Sequence, residues 1–299
     1  MYDLVIVGHL AIDLVELRGK KCAPRIGGPP AFCGLVAKRL GAKKVAIISK
    51  VGSDFSDDFL LVLVKSGVDI SALKKVEGPT TRFNLKYYNR ERELRLTAKC
   101  KPIFPEDIPA THLETNAAIL SPIANEIPDE TLEKLLDNTK IMAIDLQGFV
   151  RRFDDEGNLK MREWKNRESF IKKIDIIKGT EEEITIACNV KDTKQAASNL
   201  SSYGAKIVIV TRGQKGALFW IDGEHFEVEA LRSVRRIDST GAGDVFLSAF
   251  VVEFTLTDDA YRAATFANLV GSLSLEGLGI EGIPKREVVE ERMKELRIE

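Results

Sequence analysis

The sequence has few of the features that mark nucleic-acid-binding, membrane-spanning or metal-binding proteins. Its formal net charge is -1 over 299 residues, and no long block of like charges is present, which argues against a nucleic-acid partner. No apolar run approaches the length of a bilayer-spanning helix, and the first residues indicate a strand rather than a signal peptide. The three histidines do not cluster with the cysteines, so no zinc site is expected.

Cysteine is also scarce, and the four cysteines are widely spaced without a Cys-x-x-Cys pair: Cys22, Cys33, Cys100 and Cys188. Free, reduced thiols are therefore expected, as in a cytoplasmic protein.

Several nucleotide-binding and hydrolase motifs are absent. The sequence has no G-x-x-x-x-G-K-[ST], which excludes a P-loop kinase, and no G-x-G-x-x-G follows the first apolar run. No G-x-S-x-G supports an α/β-hydrolase. A dinucleotide-dependent oxidoreductase stays open as an alternative, although the missing fingerprint argues against it.

Short apolar runs alternate with helical patterns along most of the chain. The runs are predicted strands at 4–7, 45–49, 117–121, 141–146, 174–177 and 207–210. Apolar strands separated by helices are typical of a parallel sheet covered on both faces. We predict one α/β domain over residues 1–299, with a doubly wound, mostly parallel sheet and helices on both faces.

The alternation breaks between residues 68 and 97. Residues 81–88 and 93–97 each alternate between apolar and polar side chains, and residues 89–92 suit a turn. This pattern predicts a β-hairpin with one polar face. The hairpin is either an edge addition or a lid over the substrate, and we place lid segments at approximately 13–25 and 80–98.

The run Asp238-Ser239-Thr240-Gly241-Ala242-Gly243-Asp244 precedes an apolar helical segment. Glycines let successive backbone N–H groups converge, and the helix N-terminus adds a positive dipole end, so the run favours an anion site. Asp244 would repel a phosphate, but it could accept the proton of an attacking hydroxyl. The alternative is an ordinary turn with Asp as the helix N-cap.

Other polar groups follow predicted strands or precede helices. Gly27 and Gly28 precede a helix that Gly41 ends, while residues 211–216 form another glycine-bearing turn. Asp13 lies near the carboxyl end of the first strand, where open α/β sheets bind ligands. Each of these could also be a plain turn.

With these motifs in this order, the chain resembles the ribokinase-like (PfkB) family of carbohydrate and nucleoside kinases over its whole length. The resemblance implies that Asp244 is the catalytic base and that the amides of Gly241, Ala242 and Gly243 form the anion hole. It implies an acceptor site at Asp13, Gly27 and Gly28. The nucleotide-binding residues that it implies are Lys178, Thr211, Gly213, Gly216 and Asn268, with the loop 276–279 closing over the nucleoside. ATP and Mg²⁺ are the implied cofactors, with a monovalent cation such as K⁺ near Asp238.

Three positions depart from the family pattern. Phe32 stands where ribose-binding members carry Asn, which argues against ribose itself. The family's N-x-x-E becomes Thr180-Glu181-Glu182-Glu183, in which Glu183 would contact Mg²⁺ through water. Residues 145–151, with Gln147 and Arg151 as acceptor-site candidates, resemble an inositol-kinase-like branch, although Arg151 could equally be an exposed surface residue.

The leading hypothesis is an ATP-dependent kinase for a hydroxyl of a sugar, polyol or nucleoside, with myo-inositol as the first acceptor. The alternative is a non-catalytic nucleotide- or polyol-binding regulator on the same fold. A homodimer through the lid hairpin would use the polar face of the hairpin.

Overall fold

Strands and helices alternate through the residues that the computed structural model describes, which are 1–17, 20–88, 91–231 and 237–296. The strands are β1 (Tyr2–Val7), β2 (Ala11–Leu17), β3 (Lys20–Lys21), β4 (Arg25–Gly27), β5 (Val45–Gly52), β6 (Val68–Val76), β7 (Thr81–Tyr88), β8 (Glu91–Ala98), β9 (Thr115–Leu120), β10 (Ile141–Asp145), β11 (Arg151–Phe153), β12 (Leu159–Met161), β13 (Ile176–Thr180), β14 (Ile207–Thr211), β15 (Ala217–Ile221) and β16 (Glu224–Val228). The helices are α1 (Pro29–Arg39), α2 (Asp57–Lys65), α3 (Ala110–Leu113), α4 (Asp129–Leu136), α5 (Gln147–Val150), α6 (Arg167–Ile171), α7 (Glu181–Cys188), α8 (Thr193–Ser202), α9 (Ala242–Thr257), α10 (Ala260–Ser274) and α11 (Arg286–Glu295). Short 3₁₀ segments lie at Pro105–Asp107, Gly213–Lys215 and Gly279–Gly282.

The main sheet has nine strands in the order β16-β15-β14-β13-β10-β9-β1-β5-β6. From β14 to β6 every neighbouring pair is parallel, whereas β15 and β16 add to the edge as antiparallel strands. The mostly parallel sheet that the sequence predicts is confirmed. All the parallel strands direct their carboxyl ends to one edge, where ligands bind in such folds.

Each central strand contributes alternate side chains to two separate hydrophobic cores. In β1, Leu4 and Ile6 belong to the core formed with α1, α9 and α10. Val5 and Val7 belong to the core on the opposite face, formed with α4, α7 and α8. Because side chains alternate across a strand, a continuous apolar run is what a sheet with helices on both faces requires.

A second sheet, which we call the lid sheet, consists of β2, β3, β4, β7 and β8. The predicted hairpin is confirmed as β7 and β8, which pair in antiparallel fashion. Of the predicted turn at 89–92, residues 89–90 lie outside the described residues and residues 91–92 belong to β8. β2 pairs in parallel with β7, so that Asp13 stands opposite Phe83. The lid is therefore larger than a hairpin, because residues 11–27 supply three further strands.

Several short or irregular elements besides those of the lid sheet were not predicted from the sequence. β6 continues the main sheet beyond β5 with a register shift, and its mixed sequence VDISALKKV gives no clear apolar run. The one-turn helix α5 and the small β11–β12 hairpin are too short to produce a periodic signal.

The sequence predicts free cysteines and contains no apolar run of membrane-spanning length. All four cysteines are free. No helix within the described ranges is both long and apolar enough to cross a membrane.

A buried hydrogen-bond chain joins the lid sheet to the main sheet. The Nε2 atom of His9 lies 3.0 Å from the carbonyl oxygen of Lys101 and donates to it, so Nδ1 accepts from the hydroxyl of Thr81 at 2.8 Å. The same hydroxyl oxygen accepts from the backbone N–H of Cys100 at 3.0 Å. Thr81 and His9 are fully buried. Burial lowers the pKa of His9, which favours the neutral imidazole that these hydrogen bonds require.

Replacing Thr81 by valine tests this connection. Thr81→Val preserves shape but leaves His9 Nδ1 and the Cys100 N–H without their partner, so we expect a loss of about 1–3 kcal/mol in the free energy of unfolding. Chemical denaturation measures it. Thr97→Val, on the exposed side of the same hairpin, is the control and should change stability by less than about 0.5 kcal/mol; equal losses in both variants would contradict the assignment.

Candidate active site

The glycine run before α9 forms a tight turn at the N-terminus of that helix. Gly241 is the N-cap with a φ of 73°, and Asp244 is the third residue of the helix. The expectation that Asp244 could be the N-cap of the helix is therefore wrong. The Ala242 N–H donates to the Ser239 carbonyl at 3.2 Å, whereas helix geometry leaves the Gly243 and Asp244 N–H groups without an intrahelical acceptor.

The N-terminal ends of α1 and α9 pack directly against each other. A Cβ atom on Gly241 would lie 2.5 to 2.6 Å from the ring of Phe32, and the Cys33 thiol donates to the Asp244 carbonyl at 3.4 Å. The Ser248 hydroxyl donates to the Cys33 carbonyl at 2.8 Å. Phe32, which the sequence suggests as an acceptor contact, is 3% exposed, and its ring packs against Gly241 in the turn before α9.

A buried ion pair lies beside the same turn. The Nζ atom of Lys178, in the middle of β13, is 2.7 Å from Oδ2 of Asp145, at the end of β10. A Cβ atom on Gly243 would lie 2.7 Å from this Nζ atom, so the ammonium touches the anion-binding turn. Burial opposes the charge on Lys178, but the carboxylates of Asp145, Glu183 and Asp244 outweigh it and raise the pKa of Lys178.

Asp244 occupies a crowded electrostatic environment. Burial, with the neighbouring Asp145 carboxylate, raises the pKa of Asp244 to about 7, although Lys178 and Arg151 act in the opposite direction. The amide of Gln147 donates to Asp244 Oδ1 at 3.4 Å. A carboxylate with a pKa near neutrality is matched to accepting a proton from a hydroxyl group.

Arg151 faces the site rather than solvent. Its guanidinium donates to Glu183 Oε1 at 3.0 Å, and the two side chains are 16% and 4% exposed. Thr180 is the N-cap of α7: its hydroxyl accepts from the Glu183 N–H, and Glu183 Oε2 accepts from the Thr180 N–H at 2.9 Å. Burial raises the pKa of Glu183, but Arg151 and Lys178 outweigh it, so that pKa is lowered overall.

These groups line one cavity of about 370 Å³. Most of the predicted site residues are in its wall, namely Gln147, Arg151, Lys178, Glu183, Thr211, Gly213, Gly216, Gly241, Ala242, Gly243, Asp244 and Asn268. The apolar part of the wall consists of Ala230, Leu231, Phe246, Gly271 and Leu275. The side-chain amide of Asn268 donates to the Glu229 carbonyl at 2.7 Å, and the predicted closing loop 276–279 is not part of the cavity wall.

The predicted acceptor residues lie at the junction between the lid sheet and α1. Asp13 is 7% exposed, and a Cβ atom on Gly27 would overlap its carboxylate. Gly28 has a φ of 86° and is the N-cap of α1. Since α1 packs on α9, this glycine pair and the turn before α9 are held by the same helix contact.

Asp238, the candidate cation ligand, ties three segments together. Its Oδ1 accepts from the N–H and hydroxyl of Thr240 at 2.9 and 2.7 Å, and its Oδ2 accepts from the Gly279 N–H at 3.1 Å. Arg25 of the lid sheet is 3.8 Å from Oδ2. Asp238 therefore connects the turn before α9 to Gly279 and to Arg25 of the lid sheet.

From the sequence, Asp145 was predicted only to lie at the end of a strand, and Leu231 and Phe246 were assigned no role. Asp145 is fully buried and places Lys178, which makes it part of the site. The signal was an acid at the carboxyl end of a central strand, one of the places where such sheets bind ligands. For Leu231 and Phe246 no local pattern distinguishes a cavity wall from ordinary core.

Comparisons with known proteins agree with this geometry. Residues 1–285 match the family model described as pfkB family carbohydrate kinase. The chain is 30% identical over 262 residues to a cytidine kinase of Thermococcus kodakarensis, covering 85% of this chain and 89% of the relative. It is 27% identical to an inositol 3-kinase of Arabidopsis thaliana, covering 92% of this chain and 74% of the relative.

A solved structure shows the same architecture. A pyrophosphate-dependent kinase in the ribokinase family, complexed with a pyrophosphate analogue and myo-inositol, superposes with a TM-score of 0.82 at 26% identity, covering 97% of this chain and 99% of that one. The resemblance inferred from the sequence is thus confirmed. The protein belongs to the pfkB family of carbohydrate kinases and is a phosphotransferase with an alcohol group as acceptor.

Proposed function

We propose that this protein transfers the γ-phosphate of ATP, with Mg²⁺, to a hydroxyl group of a small polyol, with myo-inositol as the first acceptor. The observation that carries the proposal is Asp244, a carboxylate with a pKa raised to about 7 at the N-terminus of α9, in the wall of a cavity of about 370 Å³. This combination places a proton acceptor beside an anion site, which phosphoryl transfer to an alcohol requires.

Each group around Asp244 has a role in that reaction. Asp244 takes the proton of the acceptor hydroxyl as the hydroxyl oxygen attacks the γ-phosphorus of ATP, and ADP is the leaving group. The N–H groups at the start of α9 and the ammonium of Lys178 lie where negative charge accumulates on the transferring phosphoryl group, and fixed charges there lower the barrier. The lid sheet excludes water, which would otherwise compete as the acceptor.

The residues of the cavity suit a magnesium ion held mainly by phosphates and water. No group of three or more His, Cys, Asp or Glu side chains in the described part of the chain could ligate a metal directly. Glu183 already accepts from Arg151 and Thr180, but each carboxylate oxygen has a second lone pair for a metal-bound water. When bound with phosphates, Mg²⁺ keeps several waters and neutralises phosphate charge.

The apolar part of the cavity wall supports a nucleotide as the phosphate donor. Leu231, Phe246 and Gly271 belong to this part, and such walls suit a purine ring rather than a second phosphate. The structural relative that uses pyrophosphate makes pyrophosphate the donor to exclude by experiment.

The acceptor proposal rests on polar groups near Asp244 and on the relatives. Asp13 and Gln147 offer hydrogen bonds to hydroxyl groups, and Phe32 removes the amide that ribose binding would use. Inositol kinases are among the relatives, and so is a cytidine kinase, which makes a nucleoside the second candidate. A monovalent cation near Asp238 and a homodimer through the lid sheet remain part of the proposal.

Replacing the base separates chemistry from folding. Asp244→Asn should lower kcat by about 10²–10⁴-fold, because a neutral amide cannot accept the proton. The same variant should be more stable than the wild type at pH 8, by an amount on the order of a few kcal/mol, because the native state no longer holds a carboxylate whose pKa is raised above its unfolded value. Coupled ADP release and thermal unfolding measure the two effects.

The pH dependence of that stability difference is the internal control. The raised pKa of Asp244 costs stability only where the carboxylate is ionised, so the advantage of Asp244→Asn is full above pH 7 and shrinks as the pH falls toward 4. A variant with near-normal turnover, or one destabilised at every pH, would refute the role of Asp244.

The acid limb of the rate profile should report the pKa of Asp244. We expect kcat/KM to fall tenfold per pH unit below about pH 7, since only the ionised carboxylate accepts a proton. Arg151 lowers the pKa of Asp244, so Arg151→Met should move this limb to higher pH. Steady-state rates between pH 5 and 9 test both statements, and a shift to lower pH in Arg151→Met would contradict the electrostatic account.

An acceptor and donor panel tests the substrates. With ATP and Mg²⁺, myo-inositol should be phosphorylated with a higher kcat/KM than cytidine or ribose, and pyrophosphate should not replace ATP. A Cβ atom on Gly271 would already lie 3.3 Å from Phe246, so Gly271→Val narrows the apolar part of the cavity. This variant should raise the KM for ATP at least tenfold, with little change in the KM for the acceptor.

An unchanged KM for ATP in a folded Gly271→Val protein would mean that the adenosine part of ATP does not bind beside Gly271. Faster turnover with pyrophosphate than with ATP would overturn the donor assignment, and preference for cytidine would replace myo-inositol by a nucleoside.

A further inference from the structure

A second cavity, of about 480 Å³, lies on the other side of α5 from the catalytic cavity. Its walls are Asn125, Ile127, Asp129, Phe149, Arg152, Arg162, Glu163, Trp164, Lys165 and Asn166. None of these residues lines the catalytic cavity. Its volume is in the range of small-molecule sites.

The charges in this cavity are predominantly positive. Arg152, Arg162 and Lys165 line it, against the acids Asp129 and Glu163. Glu163 is already paired with Arg167 at 2.6 Å, and Asp129 is exposed at the start of α4. Among the described residues, neither Arg152 nor Arg162 forms an ion pair with a carboxylate, so neither guanidinium group is neutralised by a salt bridge.

Arg152 is fixed in place by the backbone of α5. One terminal nitrogen of its guanidinium donates to the carbonyls of Arg151, Phe149 and Gly148, at 2.7, 3.1 and 3.4 Å. Burial, together with the like charge of Arg162, lowers the pKa of Arg152. Bonds to carbonyls orient the planar group but do not neutralise it, which leaves its other nitrogens able to bind an anion in the paired geometry that guanidinium favours.

The floor of the cavity is aromatic and rigid. Trp164 is 4% exposed and packs against Phe149, with ring centroids 4.7 Å apart, and against Phe170 at 6.4 Å. This floor lets the apolar body of an organic ligand pack while its charged group meets the arginines.

We propose that this cavity binds a phosphate dianion, either inorganic phosphate or the phosphate group of a small phosphorylated metabolite, between Arg152 and Arg162. The bound anion contacts the guanidinium of Arg152, which is held by the carbonyls of Gly148, Phe149 and Arg151. In the same segment, Gln147 donates to Asp244 and Arg151 donates to Glu183. Occupancy of this cavity is therefore linked to the position of two active-site side chains.

Tryptophan fluorescence provides a direct test that does not depend on turnover. The chain has two tryptophans, so Trp220→Phe leaves Trp164 as the only reporter. In this background, inorganic phosphate and glucose 6-phosphate are titrated separately, with KCl of equal ionic strength as the reference. We expect a saturable change of Trp164 emission with at least one of the two, and the one that binds more tightly identifies the source of the phosphate group.

Arginine variants assign the response to this cavity. Arg162→Met, at an exposed position, should weaken binding at least tenfold, and Arg152→Met should do the same where thermal unfolding shows that it folds. Arg292→Met, on α11, is the matched control and should bind as the background protein does. Two results would overturn the proposal. The first is a fluorescence response equal to that of KCl, and the second is a response that is unchanged in Arg162→Met, which would mean that phosphate acts from the catalytic cavity.

Discussion

The active site depends on three carboxylates and two cations held in a space with little water. Asp145, Glu183 and Asp244 face Lys178 and Arg151, so the group has one more acid than base when every site is ionised. Asp145 and Glu183 are each hydrogen-bonded to a cation, and Asp244 has only the weak contact from Gln147. Burial raises the pKa of Asp145 despite its bond to Lys178, and it raises the pKa of Asp244 to about 7, which is the range that suits a proton acceptor at neutral pH.

The packing of α1 on α9 gives that charge cluster its partners. Phe32 packs against Gly241, so the residue that departs from the ribose-binding pattern also supports the turn before α9. Gly27 and Gly28 lead directly into α1. An alteration in the contact between the two helices therefore affects both glycine turns, because neither turn can move independently of a packed helix pair.

Much of the architecture follows from local patterns. The apolar runs of β1, β9 and β10 predict buried parallel strands, and the glycine run before α9 predicts an anion site, because backbone preference and hydrophobic burial are readable from neighbouring residues. Lid segments were predicted at approximately 13–25 and 80–98, but alternation revealed only β7 and β8 as strands. Residues 11–27 have no comparable pattern, so β2, β3 and β4 were not predicted. β2 is a strand because β7 lies beside it, and pairing across about 70 residues leaves no trace in a short window.

The sequence alone determined the reaction class, since Gly241–Gly243 and Asp244 are contiguous and their chemistry depends on spacing along one helix N-terminus. Only the tertiary structure decided the electrostatics. From the sequence, Arg151 could have been a surface residue and Lys178 one of several phosphate ligands. The parallel pairing of β10 with β13 places Lys178 against Asp145 and beside Gly243. The reason is physical: a pKa depends on burial and on charges distant in the chain, and those distances exist only after folding.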